Sequence, residues 1–267
     1  QRRTVSLTST RTAAALRVVI SGASSGIGAS LARYYARQGA ELALVARRAG
    51  VLEQLASSLS TPCAVYPLDI RDRAALLRAG QDFIRRFGCP DIVIANAGIN
   101  AGTSTEYFDD LAVIEEVVQT NVLGIVQTFH PFIACMRERG RGALVGIASV
   151  AGYRGLPGVG AYSASKAAAI SYMESLRTEL RGTGIRVVTI CPGYIATPMT
   201  DDNPYPMPFL MTSDRAAEKI GALIRRGRTY AVIPWQMALV ARALRIMPNW
   251  LYDRLFARAP RKPRRNA

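Results

Sequence analysis

Short β-branched runs alternate with segments of helical spacing along nearly the whole chain, and this rhythm limits the possible folds more than any other feature. The strand-like runs are 18–20, 41–45, 63–67, 91–95, 143–148, 186–190 and 230–233. Between them, helical spacing is found at 27–38, 49–59, 73–87, 111–139, 161–181 and 213–225. Uninterrupted strand–helix–strand succession implies parallel strands joined by right-handed crossovers. Several strands are apolar at consecutive positions, so both faces of the sheet must be covered. The 267 residues are 49% apolar and 20% charged, with no internal repeat and no central linker, so one core suffices. The expectation is a single doubly wound α/β domain, residues 17–234, on a seven-stranded parallel sheet. A flexible basic tail (1–16) precedes it, and amphipathic helices (235–258) and a second basic tail (259–267) form a C-terminal extension.

The formal net charge of +15 is unevenly spread. Residues 1–17 carry four Arg and no acid, and residues 242–265 carry eight basic side chains and one acid, Asp253, which leaves a net of only four for the body. Terminal placement without a nucleic-acid motif argues against a nucleic-acid partner. Cys63, Cys89, Cys135 and Cys191 form no C-x-x-C pair, and the single His130 completes no metal spacing with them. They read as four reduced thiols, with no metal site, and His130-Pro131 reads as a helix irregularity. No secretory signal and no run of about 18 apolar residues is present, so the expected location is cytoplasmic.

The first strand runs into Ser21-Gly22-Ala23-Ser24-Ser25-Gly26-Ile27-Gly28 and then a helix. Glycines at such a turn let the backbone approach a pyrophosphate, whose charge then faces the free N–H groups of the helix. The second strand ends in Arg47-Arg48 and no acid. An acid there would bind ribose hydroxyls, whereas guanidiniums suit a 2′-phosphate, so the expected cofactor is NADP(H). The alternative for these arginines is a solvated helix start. Further on, Tyr162-Ser163-Ala164-Ser165-Lys166 places a phenol and an ammonium one helical turn apart. A cation there favours the phenolate of a group whose ordinary pKa is about 10. Ser149, after the fifth strand, stands ready to hold a substrate oxygen.

These residues, with Asn96-Ala97-Gly98 after the fourth strand and Asn121 on the next helix, resemble the short-chain dehydrogenase/reductase family in its one-domain Rossmann branch. The resemblance covers about 18–233. It implies an oxidoreductase in which Tyr162 is the general acid/base, Lys166 lowers its pKa and binds the nicotinamide ribose, Ser149 holds the carbonyl or hydroxyl, and Asn121 anchors a relaying water. It also implies that Asp69 and Ile70 contact the adenine, that Asn96, Ala97 and Gly98 line the adenosine side, and that Pro192, Gly193, Ile195 and Thr197 meet the nicotinamide. Some NADP-preferring members carry a basic residue where Ser25 stands, so the 2′-phosphate would lean on Arg47 and the Ser24 or Ser25 hydroxyls. A homodimer or homotetramer through the long helices is implied as well.

The Pro-rich segment 197–212 stands where a lid is expected, and its Tyr205, Met207, Phe209, Leu210 and Met211 favour an apolar, lipid-like ketone or alcohol, unless they simply pack on the domain. The last two helices carry Trp235, Leu239, Leu244, Ile246, Trp250 and Leu255 beside Arg242, Arg245, Arg254 and Arg258. That pattern fits the inner face of a membrane, but it equally fits a pocket-closing helix or an oligomer contact. In this the chain is similar to hydroxysteroid dehydrogenase and 3-ketosphinganine reductase branches, whose substrates belong to lipid metabolism. A non-catalytic NADP-binding sensor on the same fold is the alternative function.

Overall fold

The computed structural model describes residues 15–201, 203–204 and 206–265. The expected flexible tail, up to residue 14, and Tyr205 of the expected lid lie outside the described residues.

Seven parallel strands form one sheet: β1 (Arg17–Ser21), β2 (Glu41–Ala46), β3 (Cys63–Pro67), β4 (Ile92–Ala95), β5 (Gly142–Ile147), β6 (Ile185–Pro192) and, last in the chain, β9 (Tyr230–Ile233). Their order is β3-β2-β1-β4-β5-β6-β9. A two-stranded parallel pair, β7 (Ile195–Ala196) with β8 (Met211–Thr212), stands apart from this sheet. The helices are α1 (Gly26–Ala36), α2 (Ala49–Ser57), α3 (Arg73–Phe87), α4 (Asp110–Val118), α5 (Gly124–Arg139), α6 (Gly160–Glu179), α7 (Ser213–Arg225), α8 (Gln236–Ile246) and α9 (Asn249–Phe256).

The continuous apolar runs have a direct packing reason. In β1, Val18 and Ile20 enter a core layer with α1, α2 and α7, while Val19 enters the opposite layer with α3, α5 and α6. The central strands β1, β2, β4, β5 and β6 are therefore buried on both faces, while the edge strands β3 and β9 are only partly covered. The order reverses between β1 and β4, the switch point at which the two flanking loops diverge and open a crevice beyond the strand ends. Residues at those strand ends are the ones that can meet a ligand.

Local chemistry sets the helix limits. Asp72 caps α3 by accepting from the Ala75 N–H at 3.0 Å, and Arg85 and Arg86 lie in the last turn. The segment read as one helix at 111–139 is α4 and α5 joined by a π-helical turn, Gln119–Leu123. The helix runs on through Pro131, so the irregularity expected at His130-Pro131 lies instead at that turn. Pro131 packs on Gly80 of α3, where an added Cβ would come within 2.4 Å of the proline ring.

The reading of four reduced thiols is also corrected. Cys89, in the turn after α3, is joined to Cys135 of α5 by a disulfide with Cα atoms 5.9 Å apart, while Cys63 and Cys191 are free. Forty-six residues separate the partners, so no spacing motif announces them; the packing of α3 on α5 brings them together.

The C-terminal helices are tied to the domain. Arg154, in the loop after β5, donates to the Leu244 and Met247 carbonyls at 3.0 and 2.7 Å and to Asn249 Oδ1 at 2.8 Å, and its guanidinium stacks 4.2 Å from the Tyr252 ring. Among the described residues no helix is long and apolar enough to cross a membrane.

Candidate active site

A cleft of about 320 Å3 lies beyond the carboxyl ends of β1, β2, β4, β5 and β6. Its floor at one end is the turn between β1 and α1. Gly22 has φ of +69°, and a Cβ there would come within 2.7 Å of the Ala97 backbone. At Gly28 a Cβ would meet the Gly22 carbonyl oxygen at 2.2 Å, so α1 approaches β1 at a distance only glycine permits. Asn96 locks this turn to the loop after β4: its Nδ2 donates to the carbonyls of Ser21 (3.1 Å) and Gly22 (3.3 Å). Ser21 Oγ accepts in return from the Asn96 and Ala97 N–H groups. The start of α1 carries no acid in its first turn, and Ser25 makes no side-chain capping bond. Together with the space left by the glycines, that uncapped N-terminus fits the pyrophosphate of a dinucleotide.

The next part of the cleft is charged and open. Arg48 reaches back to Ser24, donating to its Oγ at 2.9 Å and its carbonyl at 3.3 Å. Arg47 is 61% exposed and lies 3.8 Å from Glu116 of α4. Asp69 is held by Arg71 through its backbone N–H (2.9 Å) and its guanidinium (2.9 and 2.6 Å). Hydrogen bonding from the Arg71 side chain keeps the Asp69 carboxyl below the usual carboxylate range. Neither Arg71 nor Glu116 stands out in the sequence as part of a site, because each lies on a helix or loop whose partners are set only by folding.

At the other end the cleft narrows onto α6. Tyr162 and Lys166 both line it, with the ammonium 5.7 Å from the centre of the phenol ring. Lys166 is buried and donates to the Ile147 carbonyl at 2.9 Å. Burial lowers its pKa from 10.5 to about 8, because a low-polarity surrounding disfavours the charged form. Ser149 follows β5 and accepts from the Ala151 N–H at 3.1 Å, which fixes its rotamer at the head of a short 3₁₀ turn. The register of β5 on β6, with Ile147 beside Ile190, brings Ser149 alongside Pro192 and Gly193.

Asn121 lies behind this group rather than in the cleft wall. It is fully buried on the π-helical turn; its Oδ1 accepts from the Ile99 N–H at 2.8 Å, and its Nδ2 donates to the Ile99 carbonyl and to Ser165 Oγ, both at 2.9 Å. Ser165 Oγ in turn donates to the Tyr162 carbonyl at 2.7 Å. The amide thus braces the turn of α6 that carries Tyr162 and Lys166. Ser165, inside the Tyr-to-Lys pentapeptide, gave no sign in the sequence of this role.

A second network backs the same region. Tyr153 and Tyr230 share a 2.7 Å hydrogen bond, and Tyr230 lies 3.2 Å from the sulfur of Cys191. Burial pushes the Cys191 thiol up to about 11. Every residue expected to bind cofactor lines the cleft except Gly28, which shapes the turn from behind. The expected lid divides. Pro198, Met199 and Thr200 line the cleft, Met211 is buried, and Phe209 and Leu210 are half-exposed.

Comparison with known proteins agrees with this geometry. A family model described as short chain dehydrogenase matches residues 17–206. An uncharacterized oxidoreductase of Myxococcus xanthus is 39% identical over 238 residues, covering 88% of this chain and 94% of that protein. An 11-beta-hydroxysteroid dehydrogenase-like protein of Arabidopsis thaliana is 34% identical, covering 93% of this chain and 84% of its own length. An alcohol dehydrogenase of Thermococcus sibiricus, solved in complex with 5-hydroxy-NADP, superimposes with a TM-score of 0.72 at 25% identity, covering 82% of this chain and 95% of that one.

Proposed function

The chain belongs to the short chain dehydrogenase family, an oxidoreductase with a nicotinamide-binding fold acting on CH–OH or C=O groups, and from that premise we propose that it is an NADPH-dependent reductase of an apolar ketone. The observation that carries this reading is the buried Lys166 one turn from Tyr162, beside Ser149, at the far end of a glycine-floored cleft.

The roles follow from position. Ser149 Oγ holds the substrate oxygen and Tyr162 delivers a proton to it; run backwards, Tyr162 removes that proton. The phenolate left behind is stabilised by the Lys166 charge, which acts strongly because little water screens it. Lys166 would also bind the nicotinamide ribose, and Asn121 keeps the α6 turn in place. The nucleotide, when bound, supplies the hydride. Gly22, Gly26 and the N-terminus of α1 would hold its pyrophosphate, Asp69 and Ile70 would border the adenine, and Pro192, Gly193, Ile195 and Thr197 would border the nicotinamide. Arg47, Arg48 and Ser24 suit the 2′-phosphate, since two guanidiniums at the end of β2, where an acid would bind the ribose hydroxyls, favour a dianion. Ile99, Ile147, Ala148 and Met199 give the reacting end an apolar wall.

Two partner contacts belong to the same reading. Leu111, Val118 and Leu123, half-exposed along α4 and the π turn, support a homodimer or homotetramer through the long helices. Trp235, Leu239, Ile246, Trp250 and Leu255 remain exposed although Arg154 ties α8 and α9 to the domain, and Arg242, Arg245, Arg254 and Arg258 edge them. Aromatic and aliphatic side chains rimmed by arginine match an anionic bilayer surface. Flotation with vesicles containing phosphatidylglycerol, and not with phosphatidylcholine alone, is expected, and Trp235→Glu with Trp250→Glu should abolish it.

The deciding experiment follows loss of NADPH absorbance against a panel of apolar ketones, including steroids, 3-ketoacyl and 3-ketosphingoid compounds, with NADH in parallel. Turnover with NADPH that disappears in Tyr162→Phe is the expected result. Tight NADPH binding with no turnover on any ketone would favour a nucleotide-sensing role on the same fold.

A further inference from the structure

The C-terminal strand of basic residues is folded back onto the domain in a defined register. Arg264 pairs with Gly102 as an isolated β-bridge, and the Arg265 N–H donates to the Gly102 carbonyl at 3.2 Å. Gly102 is needed there, since a Cβ would come within 2.0 Å of the Pro263 carbonyl oxygen. Arg264 forms a paired contact with the covered carboxylate of Asp110, at 2.9 and 3.2 Å, with its guanidinium 3.4 Å from the centre of the Tyr107 ring. This anchoring delivers the next side chain, Arg265, to Glu116 at 2.5 Å.

Glu116 is the point of interest. Its carboxylate is only 18% exposed and meets three guanidiniums: Arg265 at 2.5 Å, Arg71 at 3.5 Å and Arg47 at 3.8 Å. Arg47 is also the residue that the proposed function assigns to the 2′-phosphate. A carboxylate at this place would compete with the phosphate for Arg47 and repel it. A cation held on the carboxylate by an independent anchor removes both effects.

We infer that Arg265 is a specificity-determining positioning residue: by neutralising Glu116 it releases Arg47 for the adenosine 2′-phosphate, so that the C-terminal strap sets the preference for NADPH over NADH. The inference rests on the NADPH reading. Arg265 acts through Glu116 and Arg47 and has no part in the chemistry at Tyr162. Because the charges lie near the surface, the effect is modest and weakens as salt is raised.

The test is calorimetric titration of the full chain with NADPH and with NADH, for the unmodified protein, Arg265→Ala, Glu116→Gln, the double variant and Arg47→Ala. Arg265→Ala is expected to weaken NADPH binding about three- to fivefold and NADH binding less than twofold, on the order of an exposed ion pair. Glu116→Gln in the same chain should restore NADPH affinity to within about twofold of the original. Equal loss for both nucleotides, or failure of Glu116→Gln to rescue, overturns the inference; the second outcome would mean that Arg265 meets the phosphate itself. The unmodified protein and Arg47→Ala distinguish the two failures. If the unmodified protein binds NADPH no better than NADH, the NADPH reading fails. If it prefers NADPH but either Arg47→Ala or Arg265→Ala leaves the ratio unchanged, the NADPH reading stands and the role of Arg265 fails.

Discussion

The two ends of the cleft use charge in opposite ways. At the α6 end a single cation, Lys166, is buried against the Ile147 carbonyl, and its surroundings are apolar or hydrogen-bonded. At the rim beyond β2, Arg47, Arg71 and Arg265 gather on the carboxylates of Asp69 and Glu116 while Arg48 turns to Ser24, and Arg47 and Arg265 are half or more exposed to water. Coulomb interactions scale inversely with local polarity, so one buried charge outweighs several exposed ones. The buried end is suited to moving a proton, where large energies must be directed at one atom. The open rim is suited to choosing between two similar nucleotides, where a few-fold difference is enough.

The largest effect should come from the buried end. Tyr162→Phe removes the proton donor without changing the shape of α6, and turnover is expected to fall by about 10²- to 10⁴-fold with nucleotide affinity nearly unchanged. A residual rate within tenfold of the original would break the contrast, because the phenol would then not be the acid.

Lys166 gives a test of burial itself. Its folded pKa of about 8 lies below the unfolded value of 10.5, so the charged form costs stability in the folded chain. That cost is fully present below pH 8. From about pH 8 to 10.5 the folded chain has released a proton that the unfolded chain still holds, so this contribution makes stability rise with pH. The gain should be on the order of 2–4 kcal/mol. Urea unfolding of the nucleotide-free protein and Lys166→Met across that range isolates it as the difference between the two curves, because the raised Cys191 thiol, whose contribution falls as pH rises above 9, is common to both.

Asn121→Ala sharpens the comparison in a different way. It leaves the buried Ile99 N–H and carbonyl without their side-chain partner and unties Ser165, so stability should drop by about 2–3 kcal/mol and the maximal rate should fall more than nucleotide affinity. Equal losses in NADPH affinity and rate would argue against the bracing role.

At the open rim, Arg47→Ala should weaken NADPH about three- to tenfold and barely touch NADH. That is the smallest of these effects, and raising salt should erode it while leaving the Tyr162 result alone.

Much of this arrangement is legible in the chain. Continuous apolar runs mark all seven sheet strands to within two residues, because the strands inside the sheet are covered on both faces and favour apolar side chains at consecutive positions. The glycine turn is readable because Gly22 and Gly28 occupy places where a Cβ would strike backbone. Tyr162 and Lys166 are readable because one helical turn is enough to bring them together. What could not be read depends on distant segments meeting. β7 and β8 are two residues each and carry no periodicity of their own. The π-helical turn continues the helical pattern of the helices it joins, so 111–139 looks like one element.

The boundary between what the sequence determines here and what tertiary structure decides is one of range. Propensity, periodicity and turn chemistry act over a few residues, and they suffice for the doubly wound sheet, the glycine floor and the Tyr162–Lys166 pair. The Cys89–Cys135 disulfide, the Asn121–Ser165 bond and the meeting of Glu116 with Arg265 join residues 46, 44 and 149 positions apart. Such pairs exist only after the layers have packed, since it is the packing of α3 on α5, of the π turn on α6, and of the C-terminal strap on Gly102 that sets which side chains come within reach.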